Sequence, residues 1–136
     1  MSDYRKLQVW RKAHAMALDA HRTATRIRGQ QYATFRNQII RSAMSVPTNI
    51  VEGRDQKTDA GFVRYLRIAI ASASELEYHL LAARDIRAIS KSEHLALSSQ
   101  VVEVRMMLHG LVRRLERSSH EASSASPSVS PPETGG

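Results

Sequence analysis

A proline inside an otherwise helical pattern, Pro47, is the feature that most constrains how this chain can fold. An apolar stripe about 60° wide on a helical wheel continues past it, formed by Ile39, Ala43, Val46 and Ile50. Proline removes a backbone donor and clashes with the preceding turn, which costs about 3 kcal/mol in a helix interior. Because the stripe persists on both sides, we predict one kinked helix rather than two helices. Gly53 is predicted to end it.

Polar residues line one flank of the same stretch: Gln38, Ser45, Asn49 and Glu52. Two interpretations are open, since this flank is either the solvated side of a core helix or a buried hydrogen-bonded lock between helices. A short connection makes the following helix an antiparallel neighbour, which brings Glu75 level with Arg41. We therefore predict a partly buried ion pair between Arg41 and Glu75 that braces the kink.

Helical periodicity extends over most of the chain, and no stretch alternates as a strand does. We predict four helices, over residues 4–28, 32–52, 59–88 and 90–118. Thr58 or Asp59 and the capping box Ser90–Glu93 begin the last two. Long helices with short connections predict an all-α, up-down-up-down four-helix bundle over residues 1–118. Residues 119–136 are rich in Ser and Pro and are predicted to be a disordered tail.

Apolar positions at helical spacing predict which faces form the core. Helix 1 has one such face, comprising Leu7, Trp10, Ala13, His14, Ala17, His21 and Ala24. Helix 3 has a heptad-like seam, comprising Phe62, Leu66, Ala69, Ala73, Leu76, Leu80 and Ala83. Helix 4 repeats Val101, Val104, Leu108, Leu111 and Leu115. His14 and His21 are therefore interpreted as core or interface residues rather than metal ligands.

Helix 3 has more apolar surface than a single bundle needs. Val63, Ile70 and Leu81 lie beside its seam, whereas a helix with one neighbouring layer needs only about a 100° stripe. We therefore predict that these three residues form an oligomer interface.

The chain is basic, with a net charge of +7 over 136 residues. Residues 1–57 hold 11 Lys and Arg against 4 Asp and Glu, whereas residues 58–136 hold 9 of each. Such asymmetry favours a polyanionic partner. The candidate nucleic-acid contacts lie on helix 1: Arg5, Arg11, Lys12, Arg22 and Arg26. An ordinary exposed face of a basic protein explains them equally well, because no aromatic residue is interleaved for base stacking.

Several function classes are disfavoured by what the sequence lacks. It has no cysteine, no Glu-x-x-His motif of a di-metal centre and no Gly-rich phosphate loop. No signal peptide is recognisable, and no apolar run approaches the roughly 20 residues that span a membrane. We therefore expect a cytoplasmic protein that is not an enzyme, with no cofactor, no metal and no membrane partner.

Three blocks of residues together resemble a known family: Leu7-x-Val9-Trp10-x-x-Ala13; Gln38-x-x-Arg41-x-Ala43-x-Ser45-Val46-Pro47-x-Asn49-Ile50-x-Glu52-Gly53; and Phe62-x-x-x-Leu66-x-Ile68-Ala69-x-x-Ser72-x-x-Glu75-Leu76-Glu77. They are similar to the bacterial four-helix-bundle proteins encoded within intervening sequences of large-subunit ribosomal RNA genes. This sequence departs from that family at Val51, at the turn after Gly53 and at the Gly29 turn, which puts loop geometry in doubt but not the fold.

The resemblance implies a ring-like homo-oligomer, a homo-pentamer of five bundles around an axis. A related branch serves as accessory protein to the reverse transcriptase of diversity-generating retroelements. Three hypotheses follow. The chain is an oligomeric bundle associated with RNA, or an accessory subunit that binds a reverse transcriptase and its template RNA. The third is a protein-interaction scaffold without a nucleic-acid role.

Overall fold

A computed structural model describes residues 3–124, which form four helices. These are α1 (Gln8–Thr25), α2 (Ala33–Arg54), α3 (Asp59–Asp85) and α4 (Lys91–Ser124), with short 3-10 turns at Tyr4–Lys6 and Gln30–Tyr32. Each helix packs against the next along the chain, and α1 packs against α4. Short connections make the neighbours antiparallel, which confirms the predicted four-helix bundle.

The second helix continues through Pro47, as the apolar stripe predicted. Proline supplies no backbone donor to the turn before it, and two side chains that follow it donate to carbonyls of that turn. Thr48 Oγ1 donates to the Met44 carbonyl at 2.8 Å, and Asn49 Nδ2 donates to the Ser45 carbonyl at 2.8 Å. These bonds add side-chain contacts to the turn next to the Ala43 carbonyl, whose usual donor the proline lacks.

Gly53 does not end α2, contrary to prediction, because the helix continues to Arg54. The glycine is buried where α2 meets α3. A Cβ atom placed on it would lie 2.8 Å from the Phe62 ring and 2.9 Å from Tyr65 Cβ. Its missing side chain is therefore what lets the two helices approach closely at this point.

The predicted core positions of α2 and of α3 are confirmed, since every one of them is buried. In α4 the first three predicted positions are buried, whereas Leu111 and Leu115 pack partly buried against the core. The α2–α3 contact is the most extensive in the bundle. Small residues on the facing side of α3, Ala69, Ser72 and Ala73, are buried there.

The predicted core face of α1 is partly wrong. Ala13, Ala17 and Ala24 are buried, but His14 and His21 are exposed. The buried set also includes residues outside the prediction, namely Val9, Met16, Ala20 and Thr23. Trp10, His14 and His21 also repeat at helical spacing, beside the stripe that is buried. Including them turned the predicted core face of α1 by about a quarter-turn around the helix axis.

The helix ends follow local capping chemistry, and two differ from prediction. Thr58 caps α3, and Ser90 and Glu93 form the predicted reciprocal box at α4, with bonds of 2.9 and 3.0 Å. Helix α3 ends at Asp85 rather than 88 because Arg87 adopts a left-handed φ of 65°. The N–H groups that follow bond back in a Schellman pattern, which usually takes glycine at this position.

The first and last helices also differ from prediction in their extent. Helix α1 ends at Thr25, before a turn in which Gly29 has a φ of 107°. Helix α4 continues to Ser124, so disorder from residue 119 is wrong for residues 119–124. Extending an established helix needs no new nucleus, so added residues can stay helical without burial. The rest of the predicted tail, residues 125–136, lies outside the described part of the chain. None of the described helices is long and apolar enough to cross a membrane.

Candidate functional site

Most of the predicted basic contacts on α1 are engaged in ion pairs. Lys12 and Arg26 reach across to α4, where they meet Glu103 at 3.2 Å and Glu93 at 3.4 Å. The others pair locally, Arg22 with Asp19 at 2.6 Å and Arg5 with Asp3 at 3.1 Å.

Arg11 differs from the other four predicted contacts, because within residues 3–124 it forms no ion pair. All five side chains are exposed, as predicted. Four of the five positive charges nevertheless have a carboxylate beside them, which weakens this helix as a phosphate-binding surface. The partners on α4 are distant in sequence, so no local pattern indicated them.

Three arginines near the end of α4 form a second basic surface, here called the α4 arginine cluster: Arg113, Arg114 and Arg117. All three are exposed, and none forms an ion pair in the part of the chain that is described. Arg113 and Arg117 are four residues apart and share a helix face. Arg114 lies beside Leu7 and Val9, so the cluster is at the bundle end where α1 begins. The balanced charge of the second half of the sequence concealed this cluster.

An aromatic group that was not predicted from the sequence lies at the same end of the bundle. The Trp10 and His14 rings are stacked, with centroids 4.8 Å apart and planes at 8°. Tyr4 meets Trp10 edge-on, with centroids 5.0 Å apart. Tyr4 lies in the first 3-10 turn, and Trp10 and His14 lie in the first turns of α1. The four-residue spacing of Trp10 and His14, which places them on one helix face, was the sign of this group in the sequence.

The polar flank of α2 is half-buried, and the direct hydrogen bonds from this side of α2 to α3 come from Arg41 and Ser45. Arg41 bonds to Gln38 Oε1 through Nε and Nη2, and it forms the predicted ion pair with Glu75. His79 Nε2 lies 3.4 Å from the same Glu75 oxygen. The contact between Arg41 and Glu75 is therefore confirmed. Its predicted burial is wrong for Arg41, whose side chain is 58% exposed.

A second group of hydrogen bonds lies closer to Pro47. The Ser45 and Ser72 hydroxyls are 2.7 Å apart, and Asn49 Nδ2 donates to Ser45 Oγ at 3.0 Å. Glu52, the last member of the predicted flank, is exposed. The interhelical lock is thus correct only for Ser45, which bonds directly to α3. Gln38 and Asn49 bond within α2, to Arg41 and Ser45, and Glu52 fits the solvated interpretation.

The pKa of Glu75 reflects this network. Burial opposes ionisation, but hydrogen bonds from Arg41 and His79 outweigh it and hold the pKa of the carboxyl below its ordinary value. A similar effect acts on Glu93, where the Ser90 backbone N–H is the largest cause of a lowered pKa. Both carboxylates therefore favour the charged form that their partners recognise.

The predicted interface residues of α3 differ in their surroundings. Val63 and Ile70 are partly buried and pack against the bundle's own core, so α3 uses part of its surplus apolar surface within the chain. Leu81 is exposed. Exposed apolar residues also recur along α4 at helical spacing: Leu95, Val102 and Met106. The Glu77–Arg105 ion pair sets the register of the two helices, which places Leu81 level with Val102. We call these four residues the α3–α4 apolar strip.

No group of three or more potential metal ligands occurs among the residues that the structure describes.

The comparisons with known proteins agree with this architecture. A family model described as 23S rRNA-intervening sequence protein matches residues 5–110. A crystal structure from Bacteroides thetaiotaomicron VPI-5482, of a protein of unknown function from the S23 ribosomal protein family, is similar at a TM-score of 0.72. The two are 24% identical over 76% of this chain and 97% of the other, which supports the fold. Among curated proteins, none matches. Because the family model spans most of the sequence, this chain belongs to the 23S rRNA-intervening sequence protein family.

Proposed function

We propose that this chain is a cytoplasmic, non-enzymatic, homo-oligomeric bundle that associates with RNA. The observation that carries the proposal is the α4 arginine cluster, whose three exposed guanidinium groups have no carboxylate partner within residues 3–124. Guanidinium groups bind phosphate oxygens in a bidentate geometry. The net charge of +7 and the family description support the same partner.

The cluster is favoured over the α1 residues for an electrostatic reason. A phosphate that approaches Lys12 or Arg26 must compete with Glu103 or Glu93, and these carboxylates repel it. At the α4 arginine cluster none of the three guanidinium groups is in an ion pair among the described residues, and the nearby Glu116 is already paired with Arg67. We therefore assign the main phosphate contacts to Arg113, Arg114 and Arg117, with Arg11 as a further contact from α1.

A salt titration with charge-matched variants tests this assignment. The triple variant Arg113→Gln, Arg114→Gln, Arg117→Gln should lose affinity for a structured RNA, and its log–log salt slope should fall by roughly 2 to 3. The control Lys12→Gln, Arg22→Gln, Arg26→Gln removes the same charge at ion-paired sites and should change both quantities less. Equal losses would favour a diffuse basic field, and absence of binding at low salt would refute RNA association.

The homo-oligomer is proposed on a separate surface, the α3–α4 apolar strip. Leu95 and Met106 are each 67% exposed, which is unusual for large apolar side chains in a single helix face. A second copy of the chain would cover the strip, and the family resemblance implies five copies in a ring. Met106→Lys should shift the mass in light scattering toward the monomer while helicity is retained. A monomeric parent protein would refute the oligomer.

The same strip also suits a scaffold that binds another protein without RNA, which is the second candidate function. Partners retained after nuclease treatment and at high salt would favour it. A reverse transcriptase as partner stays a prediction from the family resemblance. A reverse transcriptase gene and a variable repeat beside this gene would support that partner, and an rRNA operon around it would contradict it.

A further inference from the structure

We infer that Tyr4, Trp10 and His14 form a stacking platform for an unpaired RNA base. The inference rests on the proposed RNA association and specifies which part of the RNA this end of the bundle recognises. Trp10 and His14 lie parallel, at 8° and 4.8 Å between centroids, and Tyr4 supports the indole from its edge at 5.0 Å. The next ring in this column would lie on His14.

The outer face of the His14 imidazole is available to such a ring. One face of the imidazole contacts Trp10, and His14 as a whole is exposed, so the part of the ring that Trp10 does not cover is accessible from solvent. Trp10 in turn packs partly buried against the core, which holds the column in place. A rigid aromatic surface loses little conformational entropy when a base stacks on it, whereas a free side chain must first be ordered.

The charges beside the platform suit a nucleotide rather than an apolar ligand. Lys6 lies in the same 3-10 turn as Tyr4, and Arg11 lies three residues before His14, about one helical turn away. Both are exposed, and neither forms an ion pair in the described chain. Cations beside an aromatic surface combine phosphate attraction with stacking, as in proteins that bind single strands.

A paired region cannot use this platform, because its bases are already stacked and their faces are covered. Unpaired bases in loops and single strands can be turned out onto aromatic or imidazole rings. The platform therefore gives the protein a preference for RNA with accessible bases. The α4 arginine cluster at the same bundle end would bind phosphates of either kind of RNA.

The experiment uses Trp10 as its own probe, since the chain contains only one tryptophan. An unstructured oligoadenylate is titrated against a fully paired RNA duplex of equal length, with indole fluorescence and anisotropy of labelled RNA as readouts. The oligoadenylate should change Trp10 emission, whereas the duplex should bind without that change. His14→Ala should weaken oligoadenylate binding roughly 5- to 100-fold and leave duplex binding unaltered.

His21→Ala is the matched control, because His21 is an exposed histidine two turns further along α1. It should behave as the parent protein does, and His14→Phe, which retains a flat ring, should restore the preference for oligoadenylate. Oligoadenylate binding with unchanged Trp10 emission, or equal losses in His14→Ala and His21→Ala, would overturn the platform alone. Absence of all RNA binding would overturn the platform together with the proposed function.

Discussion

The α2–α3 seam and the α1–α4 seam both join antiparallel neighbours, but they do so with different groups. Short side chains meet at α2–α3, where the Ser45 and Ser72 hydroxyls are 2.7 Å apart and Gly53 leaves no room for a Cβ. Long charged side chains span α1–α4, in the exposed pairs Lys12–Glu103 and Arg26–Glu93. The first seam is held by close packing of short side chains, whereas the charges along the second are exposed and screened by water.

This difference predicts an order of mutational effects. Overpacking a close helix contact costs about 1–3 kcal/mol, whereas an exposed ion pair contributes about 0–1 kcal/mol. Of the three sequence blocks that resemble the family, two lie on α2 and α3 and meet at the α2–α3 seam. These blocks therefore specify how closely α2 and α3 approach. The α1–α4 seam can change its charges with little effect on folding.

The largest effect is expected at Gly53. Gly53→Ala places a Cβ against Tyr65 Cβ, which the backbone of α3 holds fixed, so the helices must separate. The free energy of unfolding should fall by about 1–3 kcal/mol in urea denaturation. Gly110→Ala is the control in α4, where the nearest atom to the new Cβ is 3.7 Å away. That change should stabilise the protein by up to about 1 kcal/mol through helix propensity. Equal effects of the two changes would contradict close packing at Gly53.

A smaller loss is expected from Ser72→Ala, which removes the hydroxyl that meets Ser45. Ser72 is only 7% exposed, so water replaces the lost partner poorly. Asn49 still donates to Ser45, which limits the loss in unfolding free energy to about 1 kcal/mol. Ser74→Ala, at an exposed position of the same helix, should be neutral or slightly stabilising. If the two variants unfold at the same denaturant concentration, the Ser45–Ser72 contact adds nothing to stability.

The cores of α2 and α3 and the Arg41–Glu75 ion pair could be predicted from the sequence. The period of the apolar residues located the cores of α2 and α3, because burial there follows one stripe on each helix. The ion pair of Arg41 and Glu75 was also predictable, since a short loop fixes the direction of α3 and helical rise sets the height of each residue.

Other features depend on contacts that local patterns do not encode. Gly53 reads as a helix stop, yet its function is set by Phe62 and Tyr65 of another helix. The partners of Lys12 and Arg26 lie on the last helix, so the exposed basic stripe of α1 looked unopposed. The α1 face was misplaced because Trp10 and His14 repeat with the same period as the buried residues beside them.

The Arg41–Glu75 pair should contribute less than Ser72, because Arg41 is 58% exposed and Glu75 39% exposed. In a double-mutant cycle, Arg41→Ala and Glu75→Ala should show a coupling energy of roughly 0.3–1 kcal/mol. Strict additivity would show that the pair adds no stability and would leave Arg41 available for phosphate.

Acid should abolish this coupling. The folded-state pKa of Glu75 is lowered, so its stabilising effect is complete above its ordinary value of 4.5 and is lost as pH falls below that value. Repeating the cycle at pH 7 and pH 3 measures this directly. A coupling that does not weaken at all between pH 7 and pH 3 would mean that the Glu75 carboxylate charge is not its source.

The smallest effect on stability is expected at the α1–α4 seam, where both partners of the Lys12–Glu103 pair are about half exposed. Glu103→Gln should change the unfolding free energy by less than about 0.5 kcal/mol. The same change removes a carboxylate that competes with phosphate for Lys12, so RNA affinity should rise and the log–log salt slope should steepen by up to roughly 1. Asp85→Asn is the control, because it also removes one negative charge but beside Arg84 at the end of α3, away from both basic surfaces. Equal gains in the two variants would indicate an effect of net charge alone, whereas a larger gain in Glu103→Gln would show that α1 contacts RNA once its ion pairs are released.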